Sequence, residues 1–381
     1  MNAKSLILII STMLFFSCKK DIESILKKTT SPSFKYTVPI EEGYGWEIST
    51  LEAEGFKTEI IEKLITDVKT KKFKRIHDIL LVRNNKLVLD AEFPETDVIR
   101  PGVAWLTQED GSHYIASATK SLVATTLGIA IDKGLIGSEQ DLLYDYYYQY
   151  YSSFENMSDE KSQITLDDLL TMRAGYQCED GDGVTMWSDK PDMIKYILDR
   201  PMAYESGTGF HYCSGNTNVL GDLIGRVSGF GFDDFMYKNL FKPLGMREPK
   251  YIYHSESGKP RLGSGIFMQP RDMAKFGQLY LQEGKWNGKQ IISREWITLT
   301  TTSVFVVGDG RYYAHHWWRK DFIIDGEIYN MYYAAGNGGQ VIYVYPEMQL
   351  VIVMTGGNYD DDLMFQNQPM IEDYILPSLL N

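Results

Sequence analysis

Four Ser-x-x-Lys tetrads occur in this 381-residue chain: Ser17/Lys20, Ser24/Lys27, Ser117/Lys120 and Ser158/Lys161. On a helix the first and fourth positions share a face, so the lysine amine can reach the serine hydroxyl and act on its proton. The pattern is weak by itself, and the surroundings separate the four. Ser17 ends an apolar leader, Ser24 lies in a polar, lysine-containing stretch, and Ser158 belongs to the acidic run Met157-Ser158-Asp159-Glu160. Ser117 instead opens SATKSLVATTLGIAIDKG, where Leu122, Val123, Leu127, Ile129 and Ile131 can bury most faces of a helix. At such a helix start, free backbone N–H groups and the positive dipole end favour a developing oxyanion. Burial of Lys120 would disfavour its ammonium form and suit it to act as a base near neutral pH. The competing reading is a capping serine with a solvent-reaching lysine, and the tetrad alone weighs equally for both.

A second chemical element is Tyr212, in the turn-rich stretch PMAYESGTGFHYCSGNTN just before a helical pattern. A phenol can relay a proton to or from a serine when cations lie beside it. In a chain with 26 tyrosines, packing is the ordinary role of any one of them. His113 and His211 flank the two motifs and are candidates to line a cleft, although packed or exposed histidines are commoner than catalytic ones. His315-His316-Trp317-Trp318 is either an aromatic wall or a strand whose neighbours point to opposite sides, and the latter is favoured. The chain has no His-Glu-x-x-His, no zinc-spaced cysteine pair and no Gly-x-Ser-x-Gly. No metal or cofactor is expected, and Glu179-Asp180-Gly181-Asp182 reads as a solvated loop rather than a calcium site.

The elements that must position these residues can be placed from pattern. Hydrophobic residues make up 44% of the chain, enough for one large core or two fused lobes. A net charge of −13 argues against a nucleic-acid partner, which would need a basic surface. Lys4, an apolar run from Leu6 to Phe16, and Ser17-Cys18 have the layout of a secretory signal too short to span a bilayer. The residues before Cys18 resemble the lipobox of bacterial lipoproteins. That resemblance implies a signal peptide over 1–17, lipidation of Cys18, and anchoring to a bacterial membrane, expected to be the outer membrane. Residues 18–50 read as a tether and 51–381 as the folded body. Cys178 and Cys213 then stand in a compartment that permits disulfides, either paired or as two separate thiols.

Ile79 to Phe93 reads as a hairpin around Asn84-Asn85, and Gln340 to Thr355 as two strands joined through Pro346-Glu347-Met348. Helices are expected at Ser117 to Lys133, Leu166 to Arg173, Asn216 to Val227 and Arg271 to Leu281. Strands at both ends around a helical middle predict an α/β (α+β) fold. Its antiparallel sheet comes from the two chain ends, with helices on its faces and a helical lobe inserted over roughly 135–330.

IASATKSLVATTLGIAIDKG resembles the nucleophile helix of the serine β-lactamase and penicillin-binding-protein superfamily, class C-like branch, and FHYCSGNTNVLGDLIG resembles its tyrosine-containing second motif. ITLDDLLTMRAGY, GSGIFMQPRDMAKFGQLYLQEGKWNGKQIISREWI and GNGGQVIYVYPEMQLVIVMTG agree in order, so the resemblance covers roughly residues 75 to 360. It implies a β-lactamase/transpeptidase-like fold, with Ser117 as acylated nucleophile, Lys120 as base and Tyr212 as proton relay to the leaving group. It also implies an oxyanion hole from the Ser117 N–H and an N–H near Gly339 to Val341, making Ser117, Gly338, Gly339 and Gln340 the substrate-binding set.

Two departures narrow the substrate. Ser214 stands where the second motif usually has Asn, as in the esterase and 6-aminohexanoate-oligomer hydrolase branch. Tyr333-Ala334-Ala335-Gly336-Asn337-Gly338-Gly339 lacks the usual basic third motif, so no cation is evident there for a β-lactam or peptide carboxylate. The expectation is hydrolysis of a small ester or amide. The alternatives are a D-amino-acid peptidase, a penicillin-binding or β-lactamase activity, and a catalytically silent binding lipoprotein. The same branch often carries cysteines at these two positions, which favours a Cys178–Cys213 disulfide beside Tyr212.

Overall fold

The computed structural model describes residues 33–93, 107–178, 190–302, 305–308, 310–324 and 327–379. Nine strands form one sheet: β1 (Glu47–Ile48), β2 (Ile76–Arg83), β3 (Lys86–Glu92), β4 (Phe305–Gly308), β5 (Arg311–Tyr313), β6 (Trp318–Ile324), β7 (Glu327–Gly336), β8 (Gln340–Tyr345) and β9 (Leu350–Gly356). Their order is β1-β3-β2-β9-β8-β7-β6-β5-β4. The β2–β3 hairpin turns through Asn84 and Asn85, both at positive φ, as a two-residue turn matching the strand twist requires. The C-terminal strand β9 pairs antiparallel with β2, so the two ends of the chain close the sheet as expected.

Alternate side chains feed two cores, which is why the central strands read as unbroken apolar runs. Leu80, Val82, Ile342, Val344, Val351 and Val353 face the helical part of the molecule. Ile79, Leu81, Val341, Tyr343, Ile352 and Met354 face the opposite layer, built from α1 (Thr58–Lys69) and the C-terminal helical segments between 362 and 379.

On the first face lie α2 (Thr119–Asp132), α3 (Ser214–Ser228) and α4 (Pro270–Leu281). Helix α2 is buried almost all round, consistent with its lack of a polar stripe. Helix α3 ends on Gly229, at φ +69. Helix α4 starts with Pro270 at its first turn and rides close on the sheet through Gly277, where a Cβ would fall 2.6 Å from Val351 and 2.8 Å from Ile342.

Three boundaries differ from the sequence expectation. The tether expected to reach residue 50 ends earlier, since Glu47–Ile48 pairs in parallel with Lys86 and Leu87, and Trp46 is buried. A two-residue strand leaves no periodicity to detect. The helical lobe closes near residue 302 rather than 330, because β4, β5 and β6 extend the sheet. Ser117 lies in a short 3-10 turn, Ala116–Ala118, two positions ahead of the first residue of α2 rather than inside it. Cys18 and the Glu179–Asp182 cluster lie outside the described residues.

Candidate active site

Strand His113–Tyr114 runs into the Ala116–Ala118 turn with Ala116 at φ +46, a left-handed conformation that alanine adopts only under constraint. The constraint is visible in β7. Gly336 abuts Ile115 so closely that a Cβ there would lie 2.1 Å from the Ile115 carbonyl oxygen. The end of β7 and the helix start are thereby pressed together, with Ser117 half-buried between them.

One turn further on, the Lys120 side chain is only 1% exposed. Its amine donates to Ser117 Oγ at 3.2 Å, to Ser214 Oγ at 3.0 Å and to the Gly263 carbonyl at 2.7 Å. All three partners are neutral oxygens. The amine also sits 4.6 Å from the centre of the Tyr212 ring. The first two sequence motifs therefore meet in space: Ser117, Lys120 and Tyr212 are neighbours, and Ser214 supplies an oxygen to the same amine.

Supporting contacts hold this arrangement. Asn218 Oδ1 accepts the N–H groups of Leu262 and Gly263 at 2.8 and 3.2 Å, fixing the loop whose carbonyl meets Lys120. Ser121 Oγ donates to the His316 carbonyl at 2.6 Å. The His316 ring is fully enclosed and lies within hydrogen-bond distance of Thr217 Oγ1, at 3.1 Å. Burial, with the Lys120 charge adding to it, pushes the His316 imidazole well below its ordinary pKa and keeps it neutral.

Tyr212 is packed rather than loose. Its ring stacks on Trp318 at 6.1 Å and meets Tyr313 edge-on at 6.0 Å. The preceding and following segments are tied by a disulfide between Cys178 and Cys213, with Cα atoms 5.9 Å apart. Of residues 315–318 only Trp318 lies on a strand, and His315 and His316 form a buried bend with His316 at φ +61, so the expected alternation holds only for the two tryptophans. Trp317 is buried on the helical side against Tyr280, while Trp318 faces Tyr212.

The turn after β7 carries Gly338 and Gly339 at φ +92 and +91. Gly339 lines, with Tyr212, Gly336 and Asn337, a cavity of about 530 Å³. The Gln340 side chain faces away from that cavity. It is fully buried, with its amide donating to the Gly356 carbonyl and, at 3.2 Å, to Tyr359 Oη. Its expected place in the substrate-binding set is therefore reduced to its backbone, because the side chain is spent bracing the turn.

His113 does not approach Ser117; its ring pairs with Asp78 at 2.9 Å and stands 3.4 Å from His77. His211 points at the Cys178 carbonyl. Among the described residues, no group of three or more His, Cys, Asp or Glu side chains is arranged to hold a metal ion. Asn218 and Gly263 stood within motif stretches, but their part in holding Lys120 had no signal in sequence, since Gly263 lies 143 positions from the lysine it holds.

A family model described as Beta-lactamase matches residues 78–364. A 6-aminohexanoate-dimer hydrolase of Paenarthrobacter ureafaciens is 25% identical over 276 residues, 66% of this chain and 68% of that protein. A lovastatin esterase of Penicillium rubens is 26% identical over 196 residues, 46% of this chain and 48% of that protein. The crystal structure of a family VIII carboxylesterase superposes with a TM-score of 0.64 at 17% identity, covering 85% of this chain and 97% of that one. The chain belongs to the beta-lactamase family and is a hydrolase.

Proposed function

We propose that the protein hydrolyses an ester or small amide through an acyl-enzyme on Ser117. The observation that carries this is the contact of a buried Lys120 amine with Ser117 Oγ, beside the Tyr212 ring. With the amine neutral, the contact runs the other way and the serine donates to the lysine. Ser117 Oγ bonds to the substrate carbonyl carbon as its proton passes to Lys120. The negative charge on the carbonyl oxygen is met by the Ser117 N–H and an N–H of the 338–340 turn. The bond to the leaving oxygen or nitrogen then breaks as Tyr212 Oη gives that atom a proton, and Tyr212 regains one from Lys120. Water attacks the acyl-enzyme, and the acid leaves as Ser117 recovers its proton.

Ester or small-amide substrates are favoured over β-lactams because the 336–339 turn itself carries no cation, the cations of the adjoining cavity being Arg311, set over the Trp318 ring, and Lys320. Two relatives, named as a 6-aminohexanoate-dimer hydrolase and a lovastatin esterase, point the same way, while a third, of Bacillus subtilis, is named as a penicillin-binding protein. A panel of simple esters and amides assayed with wild type and Ser117→Ala tests the proposal. Turnover that disappears in the variant supports it, and turnover equal in both sinks it.

We further propose that the mature protein is exported and held on a bacterial membrane by a lipid on Cys18. Support comes from the leader pattern and the adjoining polar tether. Among the described residues no helix is long and apolar enough to cross a membrane. Fractionation tests this: wild type should sediment with membranes and Cys18→Ala should not, whereas equal sedimentation of both would refute it.

A further inference from the structure

The cavity beside Tyr212 has a floor of unusual composition. Trp318, Tyr333 and Tyr343 are direct cross-strand partners on β6, β7 and β8, so their rings stand in one row on one face of the sheet. The row continues from Tyr212. Successive ring centres are 6.1 Å apart for Tyr212 and Trp318, 6.3 Å for Trp318 and Tyr333, and 5.1 Å for Tyr333 and Tyr343. The first two pairs are close to parallel, at 25° and 22°. Burial holds the Tyr333 phenol at a pKa of about 12, so it is a neutral ring at working pH.

An aromatic row inside a sheet is usually core, covered by the next layer. Here a cavity of about 530 Å³ lies over it, and Phe365 on the far wall is 52% exposed. Tyr212 and Gly339 also line it, whereas Ser117 and Lys120 do not, so the cavity adjoins the proposed site through Tyr212. Arg311, Lys320, Glu372, Asn337, Asn367 and Gln368 also line the cavity, so an aromatic floor is bordered by polar and charged groups. A volume of this size accommodates a small molecule's arm, and the aromatic floor favours a flat one.

We propose that this slot receives an aromatic leaving-group arm, making the substrate an ester or amide of an aryl-alkyl alcohol or amine. The assignment to the leaving-group side rests on the acyl-enzyme reading, in which Tyr212 protonates the departing atom and the slot opens from Tyr212. An aryl ring entering the slot is stacked on the Trp318–Tyr333–Tyr343 row.

Three acetates that differ only in the alcohol test this: butyl, 2-cyclohexylethyl and 2-phenylethyl. The 2-phenylethyl ester should exceed the butyl ester about tenfold in kcat/KM and the cyclohexyl ester about threefold. Tyr343→Leu, which removes a ring but keeps apolar bulk, should cut the 2-phenylethyl rate constant about fivefold and leave butyl acetate within about twofold. Phe365→Ala, at an exposed position, should act in the same direction if the first variant fails to fold. Equal kcat/KM for all three esters, or equal losses for each in the variants, overturns the slot. Calorimetric titration of Ser117→Ala with 2-phenylethyl acetate separates the two proposals. Binding there without any wild-type turnover keeps the slot and discards the hydrolytic role, and absence of binding discards the slot.

Discussion

The carbonyl oxygen of Gly263 accepts the Lys120 amine at 2.7 Å, the shortest of the three hydrogen bonds that fix that amine beside Ser117. Only glycine fits there. A Cβ at 263 would lie 2.7 Å from Ser214 Cβ and 3.1 Å from the Ser214 carbonyl oxygen, and Ser214 is itself bonded to Lys120. Gly263→Ala should push the loop and Ser214 apart and shift the amine. A tenth to a hundredth of wild-type kcat is expected, at roughly unchanged KM, since small displacements of catalytic groups are costly. Steady-state kinetics on one ester, with a melting curve to show the fold intact, checks it.

Removing the proton-transfer groups should act on kcat rather than on binding. Lys120→Ala and Tyr212→Phe are each expected to lower kcat by about 10² to 10⁴. The double variant should lose less than the product of the two, because the residues act as one unit. Additive losses would place Tyr212 outside the proton path.

The disulfide closes a loop of 35 residues next to Tyr212. Loop-closure arithmetic gives it about 3 to 4 kcal/mol of stabilisation. Cys178→Ser with Cys213→Ser should lower the melting temperature and, because Cys213 adjoins Tyr212, reduce kcat as well. A variant with normal kcat and a lowered melting point would confine the bond to a structural role.

Glu54 predicts an acid dependence. Its carboxylate accepts from Asn84, Lys86 and Ser49 at 2.8, 2.9 and 2.7 Å, tying the segment before α1 to the β2–β3 turn. Asn84 foremost, then Lys86 and Ser49, lower its pKa to about 2. The folded state therefore favours the ionised form. Its contribution is complete above the ordinary glutamate pKa and fades as pH falls toward 2. Glu54→Gln should be less stable than wild type at pH 7 by at most about 3 kcal/mol. The difference should close between roughly pH 4.5 and 2. Denaturant melts of both proteins across that range measure it.

Much of the architecture was legible because it follows from local pattern. Asn84-Asn85 between two aliphatic runs gave the hairpin, and the Gln340 to Thr355 run gave its distant sheet partners. The nucleophile candidates were legible as motifs, and Ser117, Lys120 and Tyr212 do come together. What was hidden depends on long-range register. The Gly263 carbonyl reaches Lys120 only because Asn218 pins its loop, and the Trp318–Tyr333–Tyr343 row exists only once β6, β7 and β8 are aligned. The left-handed Ala116 was hidden for the same reason, since it is imposed by the approach of Gly336 from another strand. His113 takes the packed role favoured from sequence, because strand pairing turns its ring toward Asp78 despite its proximity in sequence to Ser117.

The central claim is that Ser117 is an activated nucleophile, and covalent labelling tests it most directly. Protein spanning residues 19–381, wild type and Ser117→Ala, is exposed to a fluorophosphonate and weighed intact, and the adduct is then located by peptide mapping. A single adduct on the Ser117 peptide, absent from Ser117→Ala, is the predicted result. An unlabelled but folded wild type, or an adduct that persists in the variant, would contradict the account.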